Sequence, residues 1–161
     1  MEWDCLYQMQ KDLDKYIENN QSLGGREVFE EKCLALMVEV GELANETRCF
    51  KFWSKKPRNN HYRILEEYVD GIHFILSLGL EKGYQYSSRE VKNPDRSETA
   101  QFNKVFQACT SFHQHPAQEE YEQLFASYLQ LGSVLGFKEE EVQQAYIKKN
   151  EVNYVRQEEG Y

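Results

Sequence analysis

The sequence contains few residues that cross-link a chain or interrupt a helix. Its four cysteines lie far apart and form no C-x-x-C pair: Cys5, Cys33, Cys49 and Cys109. They are therefore predicted to be reduced thiols of a cytoplasmic protein rather than a disulfide framework. Three prolines and nine glycines occur in 161 residues, and most of them separate long segments. A chain of this length encloses a core without cross-links, so residues 1–161 are predicted to form one domain.

Several classes of protein lack their required signals here. No basic segment followed by an apolar one opens the chain, and no run approaches 18 uncharged apolar residues. Secretion and membrane insertion are therefore not predicted. The formal net charge of −8 argues against a groove for nucleic acid, because such grooves neutralise phosphates with Lys and Arg. The sequence also has no Walker loop, G-x-S-x-G elbow, G-x-G-x-x-G turn or EF-hand loop.

Apolar residues recur at three- and four-residue spacing along the chain, which predicts an all-α fold. The predicted helices are Glu2–Asn20, Val28–Phe50, Tyr62–Lys82, Ser97–Phe112, a fifth that starts at His115 and Pro116, and a sixth from Lys138 toward the C-terminus. Gly132 and Gly136 are predicted to end the fifth helix, and Gly83 the third. Residues 51–61 form a basic, aromatic connector, and residues 84–96 a polar loop. We expect a bundle of about six helices with a central four-helix core that binds metal.

Three carboxylates project from one side of the second helix. Glu39, Glu42 and Glu46 stand at positions i, i+3 and i+7. Apolar residues surround them on nearly the whole circumference of the helix: Leu34, Leu36, Met37, Val38, Val40, Leu43 and Ala44. A helix of this pattern is buried on most sides, so some of these glutamates are expected to be partly buried.

The third helix repeats the arrangement with Glu66, Glu67 and Asp70 among apolar residues. Clustered, buried carboxylates need a cation or must become neutral. One E-x-x-E pair is usually a solvated helix face, but two pairs on neighbouring antiparallel helices favour a metal site. Magnesium takes oxygen ligands and bridges to phosphates, whereas iron is disfavoured because His73 follows an aspartate rather than a glutamate. His73 itself is predicted to be a packing residue with satisfied hydrogen bonds.

The spacing Glu39-x-x-Glu42 followed by Glu67-x-x-Asp70 resembles the metal signature of the all-alpha nucleoside triphosphate pyrophosphohydrolases. Within that superfamily, three segments look like the dimeric dUTPases, and they are far more specific than the carboxylate spacing. These segments are Gly41–Ser54 (GELANETRCFKFWS), Leu65–Ser77 (LEEYVDGIHFILS) and Tyr146–Tyr161 (YIKKNEVNYVRQEEGY). The resemblance spans most of the chain and is weakest over residues 84–135.

The resemblance implies an enzyme that hydrolyses dUTP to dUMP and pyrophosphate with Mg²⁺. Carried over residue by residue, it assigns the metal ions to Glu39, Glu42, Glu67 and Asp70. Among these, Glu42 is our candidate for the carboxylate that orients and deprotonates the attacking water. The resemblance also implies a homodimer, for which composition alone provides no evidence.

Binding of the rest of the nucleotide is assigned to the first helix, the last helix and two aromatic residues. The C-terminal segment matches the closing motif of the family, so it is expected to bind phosphate and sugar through Lys149, Asn150, Asn153 and Arg156. The resemblance places Gln10 and Asp14 at positions where members of the family carry a Gln and an Asn. Those two residues are implied to read the polar edge of uracil. Asp14 departs from that asparagine, since the sequence has an aspartate at this position. Trp53 and Phe74 are candidates to stack on base or sugar, although such residues more often belong to a core.

Two other functions remain open from the sequence. A related pyrophosphohydrolase of the MazG type would act on dCTP or on a broader set of nucleotides. A catalytically silent helical dimer would use the same fold as a binding module, with its carboxylates merely solvated. Cleavage of dUDP in addition to dUTP also stays open.

Overall fold

A computed structural model describes residues 1–87 and 90–161 of the chain. Within these residues the secondary structure is six α-helices without β-strands, which confirms the all-α prediction. The helices are α1 (Trp3–Asn20), α2 (Phe29–Thr47), α3 (His61–Lys82), α4 (Glu98–Gln114), α5 (Gln118–Val134) and α6 (Glu139–Glu158). In the described part of the chain, no helix combines the length and the apolar character needed to cross a bilayer.

Local sequence signals explain where α3 and α4 begin and end. Asn60 caps the start of α3, where its side-chain oxygen accepts a hydrogen bond from the Arg63 N–H at 2.9 Å. Ser97 caps α4 in the same way. Gly83 ends α3 with φ 75°, as predicted, because glycine adopts this left-handed conformation without steric cost.

Three predicted helix boundaries differ from the structure by two or more residues, and one of them is the end of the fourth helix, at Gln114 rather than Phe112. The second helix ends at Thr47 rather than Phe50, because Arg48 takes a left-handed conformation with φ 57°. The Arg48 guanidinium then donates to the Lys56 carbonyl at 3.1 Å and to Ser54 Oγ at 2.9 Å, which organises the connector. The fifth helix starts at Gln118, beyond the proline expected in its first turn.

The role predicted for Gly132 is also wrong, since it lies buried inside α5 and does not end that helix. Gly136 has φ 84° and follows the C-terminus of α5, as a terminating glycine does. The polar loop predicted over residues 84–96 is non-helical where the structure describes it, and residues 88 and 89 lie outside the described residues.

Helix α3 lies at the centre of the fold and packs against α1, α2, α5 and α6, while α4 packs against α2 and α5. The contact between α3 and α5 includes two tyrosines, Tyr68 and Tyr128, that bond reciprocally. Tyr128 donates to the Tyr68 carbonyl at 2.8 Å and Tyr68 donates to the Tyr128 carbonyl at 3.2 Å. Their rings stack with centroids 4.8 Å apart. Each tyrosine hydroxyl lies over a glycine of the opposite helix: Gly71 on α3 and Gly132 on α5.

We expect Gly132→Ala to lower the free energy of unfolding by about 1 to 3 kcal/mol, the usual cost of overpacking a core. A Cβ at this position would overlap the hydroxyl of Tyr68, whose ring is fully buried. Gly41→Ala is the matched control, because nothing lies near a Cβ at Gly41 inside α2. Helix propensity should make that variant as stable as the parent or slightly more stable. Denaturant unfolding of both variants measures the difference, and equal stabilities would contradict the close packing.

Candidate active site

A cleft of about 350 Å³ lies between α1, α2, α3 and α6. Its polar lining includes Gln10, Asp14, Lys32, Glu39, Asp70, His73, Ser77, Asn153 and Arg156. Apolar side chains such as Leu13, Ile17 and Phe74 complete the walls. A concave, mostly apolar site with a few converging polar groups is typical of a small-molecule binding site.

Three carboxylates from the two predicted pairs come together beside this cleft, and two of them, Glu39 and Asp70, line it. Glu39 projects from α2, and Glu67 and Asp70 project from the adjacent α3. One oxygen of each can be chosen so that all three lie within 4.8 Å of one another. Because α2 and α3 pack side by side, the E-x-x-E and E-x-x-D spacings bring these groups onto facing helix surfaces. We call these three residues the acidic triad.

The environment of the acidic triad fits a cation. Burial, together with the nearby charges of Asp70, Glu42 and Glu67, raises the pKa of Glu39 to about 7. Burial also raises the pKa of Glu67 and of Asp70. The Oε2 atom of Glu39 is buried and has no hydrogen-bond partner in the described residues. Oxygen donors that are close, partly buried and incompletely satisfied are suited to a hard divalent ion, so the triad can bind a divalent metal.

The fourth predicted ligand, Glu42, lies beside the triad and is exposed to solvent. It is close enough to influence the pKa of Glu39, but its oxygens do not belong to the triad of mutually adjacent atoms. Glu46, on the same side of α2, instead accepts a hydrogen bond from Asn59 at 2.7 Å. The three carboxylates of α2 therefore have different environments. Glu39 is partly buried, Glu42 is exposed, and Glu46 is paired outside the triad.

Cationic side chains already neutralise part of this acidic charge. Lys149 of α6 is only 8% exposed, and its ammonium group lies 2.9 Å from Asp70 and 3.2 Å from Glu66. These two contacts, against the opposing effect of burial, raise the pKa of Lys149. Arg63 forms ion pairs with Glu66 and Glu67 one turn away on α3. The triad therefore lies next to positive groups that can bind phosphate oxygens as well as carboxylates.

The other residues predicted on the last helix have distinct positions. Asn150 is buried, and its Nδ2 atom has no hydrogen-bond partner in residues 1–87 and 90–161. Asn153 and Arg156 line the cleft. The Arg156 guanidinium lies over the ring of Tyr161 with 5.2 Å to the centroid, a cation–π contact that holds it at the cleft.

Gln10 and Asp14, predicted as a base-reading pair, belong to a hydrogen-bond network along the cleft. The Gln10 Nε2 atom donates to Asp14 Oδ1 at 2.8 Å, and Ser77 donates to Asp14 Oδ2 at 2.7 Å. On its other side, the Gln10 Oε1 atom lies 2.7 Å from His73 Nδ1 and accepts from the Tyr146 hydroxyl at 2.7 Å. The prediction that His73 is fully satisfied is wrong, because its buried Nε2 atom has no partner among the described residues.

Sequence reasoning did not select His73, Ser77 or Lys32 as cleft residues. For two of them a signal was available. His73 and Ser77 follow Asp70 at i+3 and i+7, so they share one face of α3 with it. Lys32 precedes Glu39 by the same seven-residue spacing, but it lies among several exposed charges at the start of α2, which obscure the signal.

The two predicted aromatic residues lie in different places. Phe74 lines the cleft, as a base- or sugar-stacking residue must. Trp53 is 63% exposed on the connector and packs edge-on against Phe50 and Phe52. Trp53 is not among the residues that line the cleft of its own chain.

A protein-family model described as dUTPase matches residues 2–161, nearly the whole chain. No curated protein matches the chain in sequence. The matched range includes the acidic triad, the network around Gln10 and all of α6.

Proposed function

The chain belongs to the dUTPase family, and on this premise we propose how its cleft binds and hydrolyses dUTP. The protein is a dUTP diphosphatase, which converts dUTP and water to dUMP and pyrophosphate. Among the functions that the sequence left open, the family match supports dUTP hydrolysis, and its range includes every residue that lines the cleft. The residue roles below are proposals supported by the geometry.

We propose that the resident metal is Mg²⁺ and that Glu39, Glu42, Glu67 and Asp70 hold it. The observation that carries this proposal is the convergence of the acidic triad beside a nucleotide-sized cleft. When bound, the metal polarises the phosphoryl oxygens and neutralises charge that develops on them. The carboxylates would hold the ion by oxygen coordination, and the charges that raise the pKa of Glu39 would then be offset.

Glu42 is proposed to orient the attacking water and to accept its proton. Its exposure supports this role, because a general base must be reachable by water. The partly buried Glu39 lies one turn before it on α2, which places Glu42 at the solvent edge of the acidic triad. The proton leaves the water oxygen as that oxygen bonds to phosphorus, and pyrophosphate departs when the α–β bridging bond breaks.

Helix α6 is proposed to bind the phosphates and the sugar. Lys149 and Arg156 supply the positive charge, and Asn150 and Asn153 supply amide donors and acceptors. Lys149 is paired with Asp70 and Glu66, so a bound metal and triphosphate would change its partners. The cleft then extends along α3 from Asp70 to Ser77, seven residues or about 10 Å at the rise of an α-helix.

The length of the cleft between Asp70 and Ser77 matches a nucleoside whose α-phosphate lies at the acidic triad. Phe74, one turn beyond Asp70, lies where it could pack against the sugar or the base. Gln10, Asp14 and Ser77 lie toward the far end, where a base would present its polar edge. Trp53 could reach a nucleotide only if the connector moved or a second copy supplied it, since it lies outside the cleft of its own chain.

A substrate panel tests the proposal. The full chain is incubated with dUTP, dCTP, dTTP, UTP and dUDP, in Mg²⁺ and in EDTA, and release of pyrophosphate and phosphate is measured. Hydrolysis of dUTP with pyrophosphate release only in Mg²⁺ is the expected result. Preferential turnover of dCTP would favour a MazG-type specificity. Full activity in EDTA would overturn the metal assignment.

We expect Arg156→Lys to raise KM for dUTP and to lower kcat, even though the positive charge is kept. A guanidinium binds phosphate through two parallel hydrogen bonds, which an ammonium group cannot reproduce. The exposed Arg26 offers a matched control, because it pairs with Glu31 and is not among the residues that line the cleft. Steady-state kinetics of Arg156→Lys and Arg26→Lys measure the difference, and equal values of kcat/KM would contradict phosphate binding by Arg156.

We further propose that the enzyme is a homodimer and that α2 provides part of the interface. Leu34 is 64% exposed and Val38 is 49% exposed, and they lie one turn apart on the same face of α2. This exposed aliphatic face of α2 points along the helix toward Glu42. Exposed apolar faces are typical of a surface that a partner subunit covers. Light scattering should show a dimer that Leu34→Glu dissociates, whereas a monomeric parent would contradict the proposal.

We propose a cytoplasmic location and no nucleic-acid partner for the same enzyme. The cysteines of the chain are all free, as they are in a reducing compartment. The net charge of −8 disfavours binding to a polyanionic backbone.

A further inference from the structure

His73 presents an unusual combination of burial and missing partners. The residue is 5% exposed, it lines the cleft, and its Nε2 atom has no hydrogen-bond partner in the described chain. Buried polar groups without partners are rare, and each one calls for a ligand, a water or a functional reason. The imidazole ring is held in place by stacking on Tyr146, with centroids 4.1 Å apart.

The orientation of the Gln10 amide is determined by Asp14. Asp14 accepts from Gln10 Nε2 and from Ser77, which suits an ionised carboxylate. Burial raises the pKa of Asp14, while these two hydrogen bonds and the charge of Lys32 oppose the rise. If the Gln10 amide were reversed, its carbonyl oxygen would face the carboxylate of Asp14, and this contact between two acceptors would be repulsive.

The orientation of Gln10 in turn determines the tautomer of His73. Gln10 Oε1 is an acceptor, so His73 Nδ1, 2.7 Å away, must carry the proton of the neutral ring. The ring is neutral because burial lowers the pKa of His73 to about 3, and the charge of Lys149 acts in the same direction. His73 Nε2 is therefore a bare nitrogen that can only accept a hydrogen bond.

A bare nitrogen that faces the cleft matches a hydroxyl group of a ligand, which can donate a hydrogen bond to it. His73 follows Asp70 by three residues, about 4.5 Å along α3, where the sugar of a nucleotide with its phosphate at the acidic triad would lie.

We propose that His73 Nε2 accepts a hydrogen bond from the 3′-hydroxyl of the substrate deoxyribose, and that Asp14 is the positioning residue that sets the His73 tautomer through Gln10. This inference rests on the proposed function, since it assumes that the triphosphate binds at the acidic triad. It assigns Asp14 a role that does not require contact with the base. Asparagine at this position could present either its oxygen or its nitrogen to Gln10, so it would not specify one tautomer.

The tautomer is measured directly by nitrogen NMR of the full chain labelled in its histidines. The His73 signals are assigned by their loss in His73→Phe. In the parent protein we expect the proton on Nδ1 and a bare Nε2. In Asp14→Asn we expect a mixture of both tautomers, because the amide of Gln10 is no longer held in one orientation. A proton on Nε2 in the parent protein would overturn the proposal without any kinetic measurement.

The contact with the sugar is tested by kcat/KM for dUTP and for 2′,3′-dideoxyuridine triphosphate. Loss of one neutral hydrogen bond should lower kcat/KM of the parent enzyme about three- to tenfold for the dideoxy substrate. In His73→Phe, which keeps a ring to stack on Tyr146, this ratio should fall toward one. An unchanged ratio in the folded variant, checked by circular dichroism, would show that His73 does not contact the 3′-hydroxyl.

Different experimental outcomes would overturn the proposed function and the proposed role of His73. A parent enzyme that hydrolyses no dUTP would overturn the proposed function itself. A parent enzyme that hydrolyses both substrates equally well would leave the proposed function intact and overturn only the role of His73. If His73→Phe does not fold, the parent tautomer and the parent substrate ratio still decide the question.

Discussion

Glu42→Gln should lower kcat for dUTP hydrolysis by about 10²-fold or more, the usual scale of general-base catalysis, while the helical fold stays intact. The amide preserves the shape of the side chain but cannot accept the proton of the attacking water. Because Glu42 is exposed, the substitution removes no core contact, and the loss should fall on the reaction rather than on stability. Steady-state hydrolysis and circular dichroism of the variant measure the two effects.

Glu46→Gln provides the matched control on the same helix. Glu46 bonds to Asn59 and pairs with Arg63 at 3.7 Å, outside the acidic triad, so its replacement should change kcat little. Titration of both variants with Mg²⁺ by calorimetry separates the two roles proposed for Glu42. Retained affinity with lost turnover indicates a base, and lost affinity indicates a ligand. A Glu42→Gln enzyme with more than about a tenth of the parent rate would contradict both roles.

Mg²⁺ should raise the melting temperature of the parent protein relative to EDTA, and Asp70→Asn should remove most of that increase. A ligand that binds only the folded state stabilises it, and the acidic triad repels itself when no cation offsets its charge. Asp70 also pairs with Lys149, so the variant will alter the metal-free melting temperature as well. The decisive quantity is therefore the increase in melting temperature that Mg²⁺ causes in each protein.

The shift should also depend on pH. Burial and neighbouring charges raise the pKa of Glu39 to about 7 in the folded protein, above its ordinary value near 4.5. The metal-free folded state then binds more protons than the unfolded state between these values, so its stability falls as pH rises through this range. Mg²⁺ competes with the same protons, so its stabilising effect should grow from pH 6 to pH 8. Melting curves that superimpose at both pH values, with a non-hydrolysable dUTP analogue present, would contradict a metal site at the triad.

The helices could be predicted because their signals are local. Periodicity located all six, and Gly83 marked the end of α3, since a left-handed residue after a helix favours glycine whatever surrounds it. The same local rule failed at Arg48, a non-glycine residue that is left-handed and whose guanidinium bonds to the connector. Local propensity does not report such tertiary compensation.

The sequence by itself determined the chemistry of the site, whereas the tertiary structure decided the environment of each residue. Spacing along one helix shows which carboxylates share a face, so Glu39, Glu67 and Asp70 could be selected before any packing was known. The rotation of each helix about its axis depends on the packing of the whole core. That rotation left Glu42 exposed and brought His73 of α3 against Gln10 of α1, 63 residues away in the chain. Contacts between distant segments depend on the sum of many side-chain packings, and no single stretch of sequence encodes that sum.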